Sequence, residues 1–306
     1  MAGALSFILA FQYFLLTFFH YSSIATNANY NLQSFGAKSD GKTDCSKAFL
    51  SAWTSACAST QPATIFVPPG RYLLGATIFA GKSCKNTAIT IQIDGTLVAP
   101  SDFNVIGNSG NWIKFESVTG VSVIGGTLDA QGANLWACKN SGKSCPTGAT
   151  RKYNIIIGSL GWHLQEPGVE NVTVKSATFT GTQNGARVKT WARPSNGFVK
   201  NILFQHLVMV NVENPIIIDQ NYCPDDHNCP SQVSGVKISD VTYQDIHGSS
   251  ATETAVKFDC IKGNPCSDIT LEDVKLTYKN ERAHSSCINA IGKSSGSVEP
   301  NSCLSL

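Results

Sequence analysis

Arg187 and Lys189 stand two residues apart in the run Gly185-Ala186-Arg187-Val188-Lys189-Thr190-Trp191, whose alternation reads as a β-strand. Residues i and i+2 of a strand share one face, so both cations point the same way. A guanidinium grips a carboxylate through two parallel hydrogen bonds and an ammonium adds a point charge, so the pair suits an anionic ligand. From spacing alone, solvated charge on a sheet is the better reading. Asp225-Asp226 is the only Asp-Asp pair and lies between Cys223-Pro224 and Cys229-Pro230, in a loop-like stretch. Asp219 and Asp259 follow apolar runs and read as turn or strand-end residues. His163 and His206 are isolated, and His206, preceding Leu207-Val208, reads as a satisfied structural histidine. No His, Cys and Asp cluster has metal-ligand spacing, and no Gly-rich phosphate loop follows a strand. Neither a metal nor a cofactor is expected.

The elements that must position these groups repeat. Five segments share an apolar–x–apolar beat with another apolar residue five positions on. They are Val121-Ser122-Val123 with Leu128, Val172-Thr173-Val174 with Phe179, Ile202-Leu203-Phe204 with Met209, Val236-Lys237-Ile238 with Tyr243, and Ile269-Thr270-Leu271 with Leu276. From the second onward they recur every ~30–34 residues, one coil of a solenoid. Period-two alternation predicts short half-buried strands, and the Gly and Asn between them predict turns. Further strands are expected at Pro215–Ile218 and Ala255–Phe258. The fold class is therefore all-β, a parallel β-helix. Asp44–Cys57 carries a helical apolar stripe with Thr43 or Asp44 as its N-cap, and this short N-terminal helix is expected to cover the open end. One interval breaks the rhythm: Val121 and Val172 lie far apart, yet Trp136–Thr150 between them is loop-like.

Charged residues make up 14% of the 306, against about a quarter in an ordinary globular chain, and the net charge is +2. That balance gives no electrostatic case for nucleic acid. Residues 1–25 lack Asp, Glu, Lys and Arg and carry the apolar run Leu5–Phe19, which reads as a secretory signal peptide cleaved near Ala25 or Ala28. An uncleaved membrane anchor is the competing reading; after cleavage no membrane association is expected. Residues 26–306 then form a single domain. Eleven cysteines behind a signal peptide imply several disulfides. Proximity suggests Cys138 with Cys145, Cys223 with Cys229, Cys260 with Cys266 and Cys287 with Cys303, although sequence does not fix connectivity. Asn171-Val172-Thr173 is an N-glycosylation sequon, a tripeptide that is also common by chance.

Longer runs carry a resemblance. Gln92–Asp102, Phe179–Gly185 and Asn214–Pro224, together with Arg187-Val188-Lys189 at an Arg-Ile-Lys motif, are similar to the plant polygalacturonases of glycoside hydrolase family 28. The resemblance spans about Phe35 to Cys303 and implies a right-handed parallel β-helix, secreted to the cell wall as a monomer. It also implies inverting hydrolysis of α-1,4-galacturonosyl bonds in homogalacturonan, the acidic polymer of pectin. Arg187 and Lys189 become candidates for sugar-carboxylate contacts. Tyr222 matches a family tyrosine beside the cleft and offers a ring for stacking, a core tyrosine being nearly as good a reading.

Three family motifs, Asn-Thr-Asp, Asp-Asp and Gly-His-Gly, should precede Arg187. The aligned interval holds only Arg151–Ile157, with Tyr153 at the histidine position. The solenoid is thus expected to be shortened by several coils near residues 150–158, on the order of three by the repeat length. A cysteine that precedes Gly-His-Gly in plant relatives lies in the missing stretch, which fits the odd cysteine count. No catalytic residue is identifiable. The readings left open are an incomplete form of a functional enzyme, a non-catalytic pectin-binding relative, and a truncated product without function.

Overall fold

Three strips of parallel strand stack into a β-helix. The computed structural model describes residues 27–102, 105, 112–131, 154–223 and 234–306, with the side chains of 154–156 left aside. The first face runs through Ala28–Asn31, Ala63–Val67, Ile89–Ile93, Thr119–Ile124 and Val169–Lys175. The second runs through Asp40–Asp44, Arg71–Leu73, Thr96–Val98, Thr127–Asp129 and Thr178–Thr180. Both faces join the long strand Phe198–Val212, which is followed by Lys237–Ser250, Cys266–Tyr278 and Ala290–Glu299. The third face is a separate seven-stranded sheet through Thr77–Ala80, Ile113–Glu116, Asn154–Leu160, Asn184–Trp191, Asn214–Tyr222, Thr254–Asp259 and His284–Ile288.

Alternation explains the interior. Val172, Val174, Ile202, Phe204, Val241 and Tyr243 are all at most 1% exposed, while the residues between them face out. Phe204, Tyr243 and Phe258 stack through the core with ring centroids 5.2 and 5.7 Å apart. Corners, both within the long strands and between faces, are made by single left-handed residues. Asn171, Asn201, Asp240 and Asp268 form one column (φ 53° to 56°), and Ser176, His206, Asp245 and Asp273 another (φ 50° to 56°). Asn and Asp tolerate this conformation better than most side chains. His206 is an exposed corner residue whose Nδ1 lies 2.6 Å from Asp245 Oδ2, a partner that fits its reading as a satisfied structural histidine.

Register corrects one repeat. Ile202 and Phe204 pair with Val241 and Tyr243, whereas Ile238 pairs with Val199. The fourth beat is therefore Val241-Thr242-Tyr243, five residues later than the pattern Val236-Lys237-Ile238 suggested. The slip has a physical source, since a corner every five residues makes each long strand resemble itself at that offset.

The N-terminal helix α1 spans Ser46–Ala58 and buries Ala48, Phe49, Ala52, Trp53 and Ala56. It packs against Ala28–Asn31, the edge strand of the first face, and Trp53 Nε1 donates to the Ala80 carbonyl at 2.9 Å. Its N-cap is Cys45, which makes no side-chain cap bond. Asp44, one residue earlier, instead accepts from the Ser46 amide at 2.9 Å and the Ser46 hydroxyl at 2.6 Å.

Residues 113–131 and 154–180 are adjacent coils on all three faces. Phe115 pairs with Ile157, Val121 and Val123 with Val172 and Val174, and Leu128 with Phe179. Every one of these side chains is at most 3% exposed. Phe179 sits between Leu128 and Met209, so Phe179→Ala should cost about 3–5 kcal/mol in urea unfolding. A loss below about 1 kcal/mol would show that the coils do not share a core there.

Candidate functional site

Asn184–Trp191 lies on the third face between Asn154–Leu160 and Asn214–Tyr222. Ala186 and Val188 turn inward and are fully buried. Arg187 and Lys189 turn outward, yet neighbouring coils leave them only 7% and 3% exposed. Parallel register places Arg187 beside Ile217 and Lys189 beside Asp219. Asp219 Oδ2 accepts a hydrogen bond from Arg187 Nη2 at 2.7 Å. Tyr222, at the end of its strand, completes the group: Lys189 Nζ sits 3.9 Å from its ring centroid and Arg187 Cζ 5.5 Å. Gln183, Asn184 and Asn221 help to line a cavity of about 270 Å³ over Arg187, Asp219 and Tyr222.

Two buried atoms facing this region have no partner: Arg187 Nε, a donor, and Asn221 Oδ1, an acceptor. Each such atom costs free energy until something polar meets it. A carboxylate on the guanidinium and a hydroxyl on the amide oxygen would satisfy both. Lys189 has its pKa pushed down to about 7, first by burial and then by the nearby charges of Arg187 and Lys114, with Asp219 opposing. Lys189 is thus poised between its neutral and cationic forms near neutral pH. An incoming carboxylate favours the cation.

Arg187, Lys189 and Tyr222 are brought together, and Asn171 is elsewhere, at an exposed corner where its Oδ1 accepts from Asn201 Nδ2 at 2.6 Å. Asp219, read from sequence as a strand-end residue, is the carboxylate of the site. The repeat register would have found it, because it stands one coil beyond Lys189 in the same column. Asp259 lies one coil further on and accepts from Asn221 Nδ2 at 2.7 Å. Tyr153, Asp225 and Asp226 lie outside the described residues.

Of the four cysteine pairs expected from proximity, Cys260–Cys266 and Cys287–Cys303 are bonded. Cys223 is also disulfide-bonded, but its expected partner Cys229 lies outside the described residues. Cys138 and Cys145, the remaining pair expected from proximity, both lie outside the described residues. Cys57–Cys84, too far apart in sequence for a proximity argument, ties α1 to the loop before Ile89–Ile93, and Cys45 is a buried free thiol. Among the described residues no group of three His, Cys, Asp or Glu could hold a metal ion.

The model of Glycosyl hydrolases family 28 matches this chain over residues 57–154 and 153–298. The chain belongs to glycoside hydrolase family 28. Within the family it is 48% identical to a polygalacturonase of Prunus persica, an alignment covering 92% of this chain and 95% of that protein. It is 32% identical to polygalacturonase QRT2 of Arabidopsis thaliana, covering 92% and 85%. A polygalacturonase of Gossypium hirsutum is 30% identical, covering 99% and 97%. The Prunus alignment runs over 375 positions, more than the 306 residues of this chain, so that relative carries residues with no counterpart here.

The depressed pKa of Lys189 has a measurable consequence. Unfolded, this lysine stays charged up to its ordinary value of 10.5; folded, it loses its proton near 7. Between those values the unfolded state binds more protons, so this group's contribution to stability rises with pH. Below about 7 the fold carries the cost of a buried ammonium. Lys189→Met should therefore raise Tm most below about pH 7 and least above about pH 10.5, read from melts across the range. A pH-independent difference in Tm would rule out the buried, proton-poor lysine.

Proposed function

We propose that this chain binds homogalacturonan in the cleft formed by Arg187, Lys189 and Tyr222 and, as it stands, does not hydrolyse it. The observation that carries this reading is the charge content of the cleft. Among the described residues lining the cavity the charged groups are Arg187 and Asp219, held together in an ion pair, with Lys189 packed on the Tyr222 ring behind them. Inverting hydrolysis needs an acid and a base roughly 6.5–9.5 Å apart with a water between them. The motifs Asn-Thr-Asp and Gly-His-Gly, which would supply such groups, do not occur in the sequence. The names of the relatives, polygalacturonases from three plants, support galacturonan as the ligand.

A second reading has its own observation. The two stretches matched by the family model meet at residues 153–154, inside the interval where catalytic coils are expected. This supports an internal deletion near residues 150–158, with a longer product of the same gene as the hydrolase. Residues 1–25 act as a secretory signal and 26–306 as one β-helix domain. On this reading the mature protein works in the plant cell wall as a monomer. Among the described residues no helix is long and apolar enough to cross a membrane. Asn171 is exposed at its corner, which suits the glycan its sequon would receive.

Incubated with polygalacturonate, the chain should release no reducing ends above a blank. Release abolished by changing Asp225 or Asp226 would overturn the non-hydrolytic reading. Binding to immobilised polygalacturonate should be lost in Arg187→Ala and weakened about tenfold in Arg187→Lys, which keeps the charge but not the planar fork. A wild-type chain with no affinity for the polymer would remove the binding reading.

A further inference from the structure

The ends of three successive third-face strands carry aromatic rings that step outward from the cleft. Tyr222 borders the cavity; Trp191, paired with it in register, approaches edge-on with ring centroids 4.9 Å apart. Trp162, one coil earlier, meets Trp191 edge-on at 4.8 Å. Gly161 allows this closeness: its φ is +93°, and a Cβ there would fall 2.8 Å from the Trp191 carbonyl oxygen. Trp162 remains 50% exposed, unlike the tryptophans that serve the core, Trp53 (4%) and Trp112 (0%).

The rings are accompanied by cations. Arg193 Cζ lies 4.0 Å from the Trp162 centroid and 5.7 Å from that of Trp191. Its Nε is buried without a hydrogen-bond partner, and among the described residues no carboxylate is within ion-pair distance of it. Lys189 Nζ lies between Trp191 and Tyr222, 5.7 and 3.9 Å from their centroids. Burial of an exposed indole for its own sake does not explain the arrangement, since Trp162 keeps half of its surface in water. A stacked guanidinium is held in one orientation, which lowers the entropy lost when an anion docks on it.

We propose that Trp162 and Arg193 form an additional binding subsite for a uronic-acid residue, outside the Arg187–Lys189–Tyr222 cleft. The sugar's C–H face would lie on the indole while its carboxylate meets Arg193. The subsite rests on the reading of the cleft as a galacturonan site and extends it along the solenoid axis toward the coil that follows residue 153. It engages only chains long enough to span from Tyr222 past Trp191 to Trp162.

The test compares digalacturonate with hexagalacturonate by titration calorimetry, using the full chain and variants whose circular dichroism matches wild type. Trp162→Ala and, separately, Arg193→Gln should weaken hexagalacturonate binding by about fivefold or more while leaving digalacturonate binding unchanged. Trp162→Phe should retain most of the affinity for the longer chain but lose the indole fluorescence change that accompanies it. Methyl-esterified hexagalacturonate should be insensitive to Arg193→Gln yet still sensitive to Trp162→Ala. Unchanged hexagalacturonate affinity in both Trp162→Ala and Arg193→Gln would overturn the subsite and leave the cleft reading standing. A wild-type chain that binds neither oligosaccharide would overturn both.

Discussion

In-register parallel stacking is the constraint from which everything else follows. Each residue of a coil lies directly over its equivalent in the next, so a side chain's surroundings are set by the residue about one coil away in sequence. Arg187 and Lys189 point away from the core, yet neighbouring coils bury them almost completely. Burying a cation is costly unless it is paired. Arg187 is compensated by Asp219, in the adjacent strand. Lys189 has a tyrosine ring for company instead, and it sheds its proton readily. Asp219 stands in the column of Lys189, yet its Oδ2 meets Arg187, so the two cations of one strand differ in which of them that carboxylate pairs with.

That arrangement leaves a cleft rich in polar groups that the protein itself does not satisfy. The free donor on Arg187 and the free acceptor on Asn221 are complementary to a ligand that carries both carboxylate and hydroxyl groups. Recognition of such a ligand and its cleavage depend on separable sets of groups. Cations and rings suffice to hold a uronide, whereas hydrolysis by inversion adds a demand for two carboxylates kept apart with water between them. The third-face strands present cations and rings at the cleft.

The solenoid was legible because inward positions alternate on short strands and recur with each coil. Val172 with Val174, Ile202 with Phe204 and Ile269 with Leu271 declared themselves by type and spacing, and the helix at Ser46–Ala58 by its stripe. The fourth coil was misregistered by five residues because Ile238 and Tyr243 are both buried apolar residues on one strand, and only pairing distinguishes them. Within the site, Arg187 and Lys189 stood out as alternating cations. Asp219 did not, because a carboxylate after an apolar run looks like any strand end until the coil before it is laid underneath. The same holds for Trp162 and Arg193, which have no common motif and meet only through the stacking of Gly161 on Trp191. Cys57 and Cys84 escaped for a related reason, being neighbours in space across 27 residues of chain.

The columns of left-handed corner residues give the fold something like a reading frame. Asn171, Asn201, Asp240 and Asp268 occupy a backbone conformation that β-branched and bulky side chains resist. A change in chain length that removes whole coils from one corner to its equivalent leaves every column in phase, and the strand after residue 153 does resume in phase with Ile113–Glu116. A loss of any other length would set a valine or isoleucine at a corner and an asparagine in the core. Solenoids of this kind therefore tolerate gain and loss in quanta, so that their length varies among relatives while the cross-section of the coil is preserved.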